Sequence, residues 1–104
     1  MSFSLLYVTH PSKPEADRIS IGLLNEKLIA CANSFPIDSL YHWDGSIART
    51  QEFVTLYKTK NENIEAIKRY IENNHKYDIP CIMKIAEVSS NEGYENWIRG
   101  ELLS

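Results

Sequence analysis

The sequence lacks several features that mark particular classes of protein. It has only two cysteines, Cys31 and Cys81, in 104 residues, too few for the disulfide framework of a small secreted domain. No apolar run approaches the roughly 20 residues that span a bilayer. The first residues also lack the basic and apolar regions of a signal peptide. We therefore expect a reduced, cytoplasmic protein with no membrane partner.

Basic residues and glycines are also sparse. The net charge is −3, and the longest basic run is the pair Lys68-Arg69. A nucleic-acid-binding domain normally has a basic face or stripe, so we expect no nucleic-acid partner. The four glycines are well separated, which leaves no glycine-rich loop to hold phosphate groups.

The sequence does have the length and the local patterns of one α+β domain covering residues 1–104. A strand is predicted from Ser2 to Thr9 because the segment is rich in aromatic and branched residues. Ser12 and Glu15 form a capping box that opens a helix running to about Lys27. Gly22 weakens that helix slightly and is expected to permit close packing on a sheet.

The second half of the sequence predicts another helix and another strand, followed by a C-terminal helix. Thr59 to Glu62 reads as a second capping box, and the following helix has an apolar face formed by Ile64, Ile67 and Ile71. A further strand is predicted from Cys81 to Val88. Asn91 then opens a short helix whose apolar side carries Tyr94, Trp97, Ile98 and Leu102. The order βαββαβ plus a C-terminal helix predicts a ferredoxin-like sandwich, in which two helices cover one face of an antiparallel sheet.

A long hairpin between the second and third strands is the largest predicted feature. Its arms, residues 30–43 and 46–59, flank Asp44-Gly45, a pair typical of a type I′ turn. Pro36 predicts a bulge or a sheet edge in the first arm. Unbroken arms would reach about 46 Å, whereas a domain of this length is about 33 Å across. The tip, with Tyr41 and Trp43, is therefore expected to contact another subunit, unless the first arm breaks near Pro36 and folds back.

Six short segments resemble the CutA family of divalent-cation tolerance proteins, in the same order and over nearly the whole chain. They are "YVTHPSKPEADRI", "LNEKLIACANSFP", "SLYHWDGSI", "EFVTLYKTK", "HKYDIPCIM" and "YENWI". The resemblance implies a ferredoxin-like subunit and a homotrimer interlocked by its long hairpins. It also implies a role in the response to metal ions, without known enzymatic turnover.

The resemblance implies a position for copper as well, and the sequence departs from the family there. The family's proposed copper ligands are a cysteine late in the first strand and a histidine pair, which correspond here to Val8 and to Asn74-His75. Of these only His75 is a metal-ligating residue type. Lys76 and Cys81 replace the proline and the glutamate of the family's motif.

The residues around His75 support two interpretations. His75 lies near the predicted end of a helix, where an imidazole caps the last carbonyl groups, and Pro80 keeps the preceding residue extended. Alternatively, His75 and Cys81 bind a soft or borderline metal ion, copper(I) or zinc, and do so weakly. The resemblance places them in an intersubunit cleft whose other expected residues are Cys31, Trp43, Lys58, Tyr77 and Asp78.

Two further alternatives concern the kind of activity. A signalling trimer of the PII type shares this architecture and binds a nucleotide or another small molecule between subunits. An enzyme using Cys31 as its nucleophile would need that thiol within hydrogen-bonding reach of a histidine. Nothing in the spacing indicates such a pair, so no catalytic residue is predicted.

Overall fold

The predicted elements follow one another in the computed structural model, which describes residues 3–102. The strands are β1 (Phe3–His10), β2 (Cys31–Trp43), β3 (Ser46–Lys60) and β4 (Ile82–Val88). The α-helices are α1 (Lys13–Asn25), α2 (Ile64–Asn74) and α3 (Glu92–Glu101). Ser2, the predicted start of the first strand, lies outside the described residues. None of these helices in residues 3–102 is long and apolar enough to cross a membrane.

The sheet has the strand order β2-β3-β1-β4, and each neighbouring pair is antiparallel. Alternate residues of β1 and β3 face α1 and α2 because side chains in a strand alternate between the two faces. The core between sheet and helices is completely or almost completely buried and contains Leu6, Val8, Tyr57, Ile19, Leu23, Ile29, Ile64, Ile67 and Ile71. This arrangement confirms the predicted ferredoxin-like sandwich.

Local signals explain how α1 begins and how it packs. The Ser12 Oγ accepts a hydrogen bond from the Glu15 backbone N–H at 3.3 Å, which confirms Ser12 as the predicted N-cap, while the Glu15 carboxylate accepts hydrogen bonds from Arg18. The helix ends at Asn25, and Lys27 has a left-handed φ of 56°. A Cβ at Gly22 would overlap the hydroxyl group of Tyr70. Gly22 therefore permits a close approach to α2, and the predicted packing of this glycine on the sheet is wrong.

The second predicted capping box is also wrong. Thr59 belongs to β3, which continues to Lys60 because Phe3 and Lys60 are paired in the sheet. The buried Thr59 Oγ1 donates a hydrogen bond to the Leu28 carbonyl oxygen at 2.6 Å. A 3-10 turn, Asn61–Asn63, then leads into α2. Strand pairing thus determines the conformation of a segment whose local sequence favours a helix cap.

The hairpin between β2 and β3 is unbroken and has a type I′ turn. Asp44 and Gly45 have φ values of 52° and 82°, as that turn requires. The register runs without a shift along the whole of β2, and Pro36 lies opposite Phe53 on the edge strand. The predicted sheet edge at Pro36 is confirmed, whereas the alternative in which the first arm breaks is wrong.

Part of the hairpin extends beyond the rest of the sheet. Since β1 ends at His10, opposite Phe53, residues 37–43 and 46–52 pair only with each other in the described sheet. We call these residues the ribbon. The molecule measures 47 × 25 × 21 Å along its principal axes, and this elongation agrees with the projecting hairpin expected from arm length.

The C-terminal helix α3 covers one end of the sheet. Its Ile98, together with Leu102, packs against Phe3 and Ala30 in a second buried cluster. Tyr94 and Trp97 stack on each other with ring centroids 5.5 Å apart. All four residues of the predicted apolar side therefore take part in packing or ring contacts.

Candidate functional site

A groove of about 980 Å³ lies between the ribbon and the link formed by residues 76–81. The link joins the end of α2 to β4. The groove is lined by Thr9, Tyr41, Trp43, Ala48, Thr50, Glu52, Lys76, Tyr77, Asp78, Ile79 and Cys81. It is the place where three of the expected cleft residues, Trp43, Tyr77 and Asp78, come together with Cys81.

One face of the ribbon forms the floor of the groove. The two-residue turn pairs Tyr41 with Ala48, and side chains two residues apart in a strand point to the same face. Tyr41 and Trp43 on β2 therefore share a face with Ala48, Thr50 and Glu52 on β3. The small side chains of Ala48 and Thr50 leave open space beside the aromatic rings.

Tyr77 connects the link to the ribbon. Its hydroxyl group donates a hydrogen bond to the Glu52 Oε2 at 2.7 Å. Burial raises the pKa of the Tyr77 phenol, and the hydrogen bond to Glu52 and the proximity of Tyr41 raise it further. Tyr77 therefore stays protonated at neutral pH and remains a donor to the carboxylate.

His75 holds the start of the link against the end of β1. Its backbone N–H donates to the Ile71 carbonyl oxygen at 2.8 Å and so closes α2. On the imidazole, Nε2 lies 2.8 Å from the Thr9 carbonyl oxygen, while Nδ1 accepts the Tyr77 backbone N–H at 3.0 Å. These contacts are those of a neutral imidazole protonated on Nε2. A metal ion on His75 would have to replace one of these two hydrogen bonds.

A second histidine, His10, lies behind His75 in the protein interior. The two rings are stacked with their centroids 5.2 Å apart. His10 is completely buried, and its Nε2 shares a hydrogen bond of 3.1 Å with the Tyr57 hydroxyl group. Its Nδ1 is buried and has no hydrogen-bond partner among the described residues. Burial, with a smaller contribution from His75, lowers the pKa of His10 from 6.5 to about 4.

The two expected metal ligands occupy different positions relative to the groove. Cys81 is a free, partly exposed cysteine that lines it, whereas His75 is bound to Thr9 and Tyr77 at its inner edge. Among the histidine, cysteine and acidic side chains that the structure describes, no three or more are grouped so that they could hold a metal ion.

Cys31 and Lys58 lie at the opposite end of the hairpin from Trp43. Cys31 on β2 is paired with Lys58 on β3. Cys31 lies twelve residues before Trp43 on β2, a distance of about 40 Å along the strand. The Cys31 thiol donates a hydrogen bond to the Asn33 Oδ1 at 3.7 Å, so its hydrogen-bond partner is not a histidine.

Lys58 interacts with the C-terminal helix. Its Nζ donates to the Tyr94 hydroxyl group at 3.0 Å and lies 5.1 Å from the centroid of the Tyr94 ring. The hydrogen bond to Tyr94 raises the pKa of Lys58. These contacts hold the Lys58 side chain against α3.

Sequence reasoning did not identify Glu52 or His10 as parts of this region. The hairpin register, which follows from the Asp44-Gly45 turn, gives Glu52 the same face as Tyr41 and could have indicated its position. No local pattern brings Tyr77 to Glu52, because these residues meet only when the link packs on the ribbon. The stacking of His10 on His75 likewise joins distant parts of the chain.

The strand order, the helices on one face and the long hairpin define a ferredoxin-like α+β protein with a projecting ribbon. The family model described as CutA1 divalent ion tolerance protein matches residues 4–101. The chain belongs to this family, as the resemblance of its six segments predicted.

Individual relatives agree with this assignment. The divalent-cation tolerance protein CutA of Archaeoglobus fulgidus is 37% identical over 95 residues, covering 91% of this chain and 93% of that protein. The crystal structure of divalent ion tolerance protein CutA1 from Ehrlichia chaffeensis matches with a TM-score of 0.91 and 38% identity, over 95% of this chain and 94% of that one. The chloroplastic protein CutA 1 of rice is 31% identical over 91% of this chain, which spans 54% of the rice protein's length.

Proposed function

We propose that the protein is a cytoplasmic homotrimer that takes part in the response to metal ions and binds a metal ion or small ligand, without turnover, in a cleft between subunits. The observation that carries this proposal is the ribbon, whose apolar side chains project from the subunit. Leu40, Trp43 and Ile47 are 62%, 70% and 65% exposed in the single chain. Exposed apolar groups of this size favour contact with another protein surface.

The sheet offers a second surface for assembly. Leu6 and Val8 face the helices, so Leu5 and Tyr7 point to the opposite face, where they pair with Ile85 and Met83. Met83 and Ile85 are 54% and 44% exposed. A sheet with an apolar open face is stabilised when a second layer covers it, and other copies of this chain would provide that layer.

Two subunits are needed to build the whole expected cleft. Trp43, Tyr77 and Asp78 line the groove, whereas Cys31 and Lys58 belong to the far end of the hairpin. One chain cannot bring these groups together without breaking the hairpin. In the proposed trimer, the ribbon of one subunit would lie beside the Cys31–Lys58 end of its neighbour.

Metal binding at this cleft is proposed to be weak and to use His75 together with Cys81. A thiolate and an imidazole suit copper(I) or zinc. Coordination by His75 would displace its hydrogen bond to Thr9 or to Tyr77, and leaving a buried polar group unpaired costs about 1–3 kcal/mol. That cost would lower the affinity by about fivefold to about 150-fold.

A PII-type nucleotide site is the alternative function, and the charge of the groove argues against it. Of the charged groups that line the groove in the described chain, Glu52 and Asp78 are acidic and Lys76 is basic. Two carboxylates facing the same space would repel phosphate groups, which Lys58 of the neighbouring subunit would only partly offset, and the four well-separated glycines leave no glycine-rich loop to hold them. We therefore retain the metal-responsive trimer as the proposed function.

Titration with copper(I) or zinc under reducing conditions tests the metal part of the proposal. We expect weak binding by the wild type, and a further loss of affinity in both His75→Ala and Cys81→Ser. His42→Gln is the matched control, because it removes an exposed imidazole on the face of the ribbon opposite to Tyr41 and Trp43, outside the groove lining. Equal binding by the wild type and the first two variants would place the metal elsewhere.

Dilution experiments on Trp43 variants test the assembly part. A buried aromatic anchor contributes about 2 kcal/mol or more at an interface, so Trp43→Glu should dissociate at protein concentrations where the wild type remains assembled. Trp43→Phe keeps an aromatic ring and should assemble far better than the glutamate variant. Sedimentation velocity measures both, and unchanged assembly of Trp43→Glu would exclude the ribbon tip from the interface.

A further inference from the structure

The two cysteines lie on the same face of the sheet. Cys31 and Trp43 are an even number of residues apart on β2, so their side chains point to the same side of the hairpin, the side that forms the groove. Ile82, at the start of β4, packs against the core, whereas Cys81, the residue before it, lines the groove. Both thiols are free. They therefore share the open face of the sheet, which the proposed trimer covers.

One subunit cannot bring these two thiols together. Cys31 is on the edge strand β2, at the level of Leu5 in β1. Cys81 precedes the other edge strand, β4, one residue before the pair formed by Ile82 and Val8. In the strand order β2-β3-β1-β4, the two positions are about 20 Å apart across and along the sheet. A metal–sulfur bond is only about 2.3 Å long, so a shared ion needs a thiol from a second chain.

The proposed trimer supplies that thiol. In it, the ribbon of one subunit lies beside the Cys31–Lys58 end of its neighbour, and the same ribbon forms the floor of the groove that Cys81 lines. The combined cleft then contains Cys81 of one subunit and Cys31 of the neighbouring subunit. The Cys31 thiol makes a hydrogen bond of 3.7 Å to the Asn33 Oδ1, and a thiol is a weak donor. Exchanging this bond for a metal–thiolate bond therefore costs little.

Copper(I) suits such a pair of thiols better than zinc. It is a soft ion that thiolates select, and it accepts linear coordination by two ligands. Zinc sites normally have four ligands, so zinc would need further groups such as His75, whose hydrogen bonds it would break. Charge does not oppose the copper(I) complex, because Lys58 of the neighbouring subunit and Lys76 together balance Glu52 and Asp78 of the groove.

We propose that Cys81 of one subunit and Cys31 of the neighbouring subunit bind one copper(I) ion between them as a pair of thiolates. Binding releases the two thiol protons to solvent and leaves a complex with a single negative charge. The proposal rests on the proposed function, because it needs the trimer. It adds a second sulfur ligand and the origin of that ligand in another chain, and it makes His75 a weaker ligand than either cysteine.

Titration of the full chain with copper(I), against a competing copper(I) chelator and under a phosphine reductant, tests the proposal. We expect copper(I)–thiolate absorption in the ultraviolet that saturates at about one ion per chain. Cys31→Ser and Cys81→Ser should each bind at least about tenfold more weakly, and His75→Ala should lose less than either. His42→Gln should bind like the wild type. Unchanged affinity in Cys31→Ser, with losses in Cys81→Ser and His75→Ala, would overturn the inference and leave the metal part of the proposed function intact.

Mixed trimers show whether the two thiols come from different chains. Co-expression of Cys31→Ser and Cys81→Ser under two affinity tags, followed by purification on both tags, yields particles that contain both variants. In a head-to-tail ring, every such particle has one cleft in which a chain that keeps Cys81 meets a neighbour that keeps Cys31. We therefore expect about one tightly bound copper(I) ion per mixed trimer. Mixed trimers of Cys81→Ser with the double variant lack Cys81 altogether and are the matched control.

Light scattering on the same samples separates this inference from the proposed function. Mixed particles that are trimers but bind copper(I) no better than the two single variants overturn the inference and leave the proposed assembly in place. A wild-type chain that is a monomer refutes the proposed assembly and the inference with it. Recovery of binding in the mixed trimers, and not in the control, supports a copper(I) site shared between subunits.

Discussion

Acidification should destabilise the fold through His10, the buried histidine stacked on His75. A protonated imidazole needs acceptors for both ring N–H groups. Nδ1 of His10 is buried without a partner in the described chain, and the other nitrogen contacts the Tyr57 hydroxyl group. The protonated form would therefore bury an uncompensated charge beside a second histidine. Two other charged groups affect the pKa of His10: Glu15 raises it and Arg18 lowers it. Both effects are smaller than the effect of burial.

The size of the effect follows from the two pKa values of His10. The folded value is about 4 and the ordinary value is 6.5, so the unfolded chain binds the proton more readily. Stability is therefore highest above pH 6.5 and falls as the pH decreases toward 4. The full difference between the two pKa values corresponds to about 3 kcal/mol of free energy of unfolding per chain. About 2 kcal/mol of this stabilisation is lost when the pH reaches 5.

Guanidinium unfolding at about pH 7.5 and about pH 5, at one fixed protein concentration, measures this contribution. His10→Gln removes the titrating ring. When the pH is lowered from about 7.5 to about 5, the free energy of unfolding of this variant should fall by about 2 kcal/mol less than that of the wild type. His42→Gln removes an exposed histidine at the ribbon tip and should behave like the wild type. The reasoning is refuted if His10→Gln loses as much stability as the wild type. Should that variant not fold, an NMR titration of His10 in the wild type gives its pKa directly, and a value near 6.5 refutes the reasoning.

Three further predictions concern the elements that shape the fold and the groove. Gly45→Ala should lower the free energy of unfolding by about 1 kcal/mol because Gly45 has a φ of 82°. Gly100→Ala should raise the free energy of unfolding, because Gly100 lies inside α3 with open space around it. Denaturant unfolding measures both variants, and equal effects would contradict the prediction. Ser12→Ala should cost about 1 kcal/mol in the same assay through loss of the N-cap of α1, and an unchanged midpoint would exclude that role. Tyr77→Phe removes the hydrogen bond to Glu52 and should increase amide hydrogen exchange in the link, while unchanged exchange would show that this bond does not hold the link.

Sequence signals were reliable where the determining interactions are local. The Ser12 cap and the Asp44-Gly45 turn depend on residues within a few positions of one another, and both were predicted correctly. The spacing of Ile64, Ile67 and Ile71 identified the buried face of α2 for the same reason.

Predictions failed where a distant segment decides the conformation. Thr59 has the local sequence of a helix cap, but pairing of Phe3 with Lys60 keeps it in a strand. Gly22 was expected against the sheet and meets Tyr70 of the neighbouring helix instead. The position of Gly22 in the sequence does not specify which element approaches it.

The candidate site was only partly predictable for the same reason. Trp43, Tyr77, Asp78 and Cys81 were expected near one another, and all line the groove. Their surroundings depend on how the link docks on the ribbon, which the sequence pattern does not encode. Whether Cys31 and Lys58 join them depends on a second subunit.

The molar mass in solution, measured by light scattering across a dilution series, tests the central claim most directly. The chain has a mass of 12.0 kDa, and we predict a particle of three chains, three times that mass, which persists at micromolar concentration. A stable particle of one chain mass at that concentration would contradict the account, because the apolar ribbon and the open sheet face would then remain uncovered in the native protein.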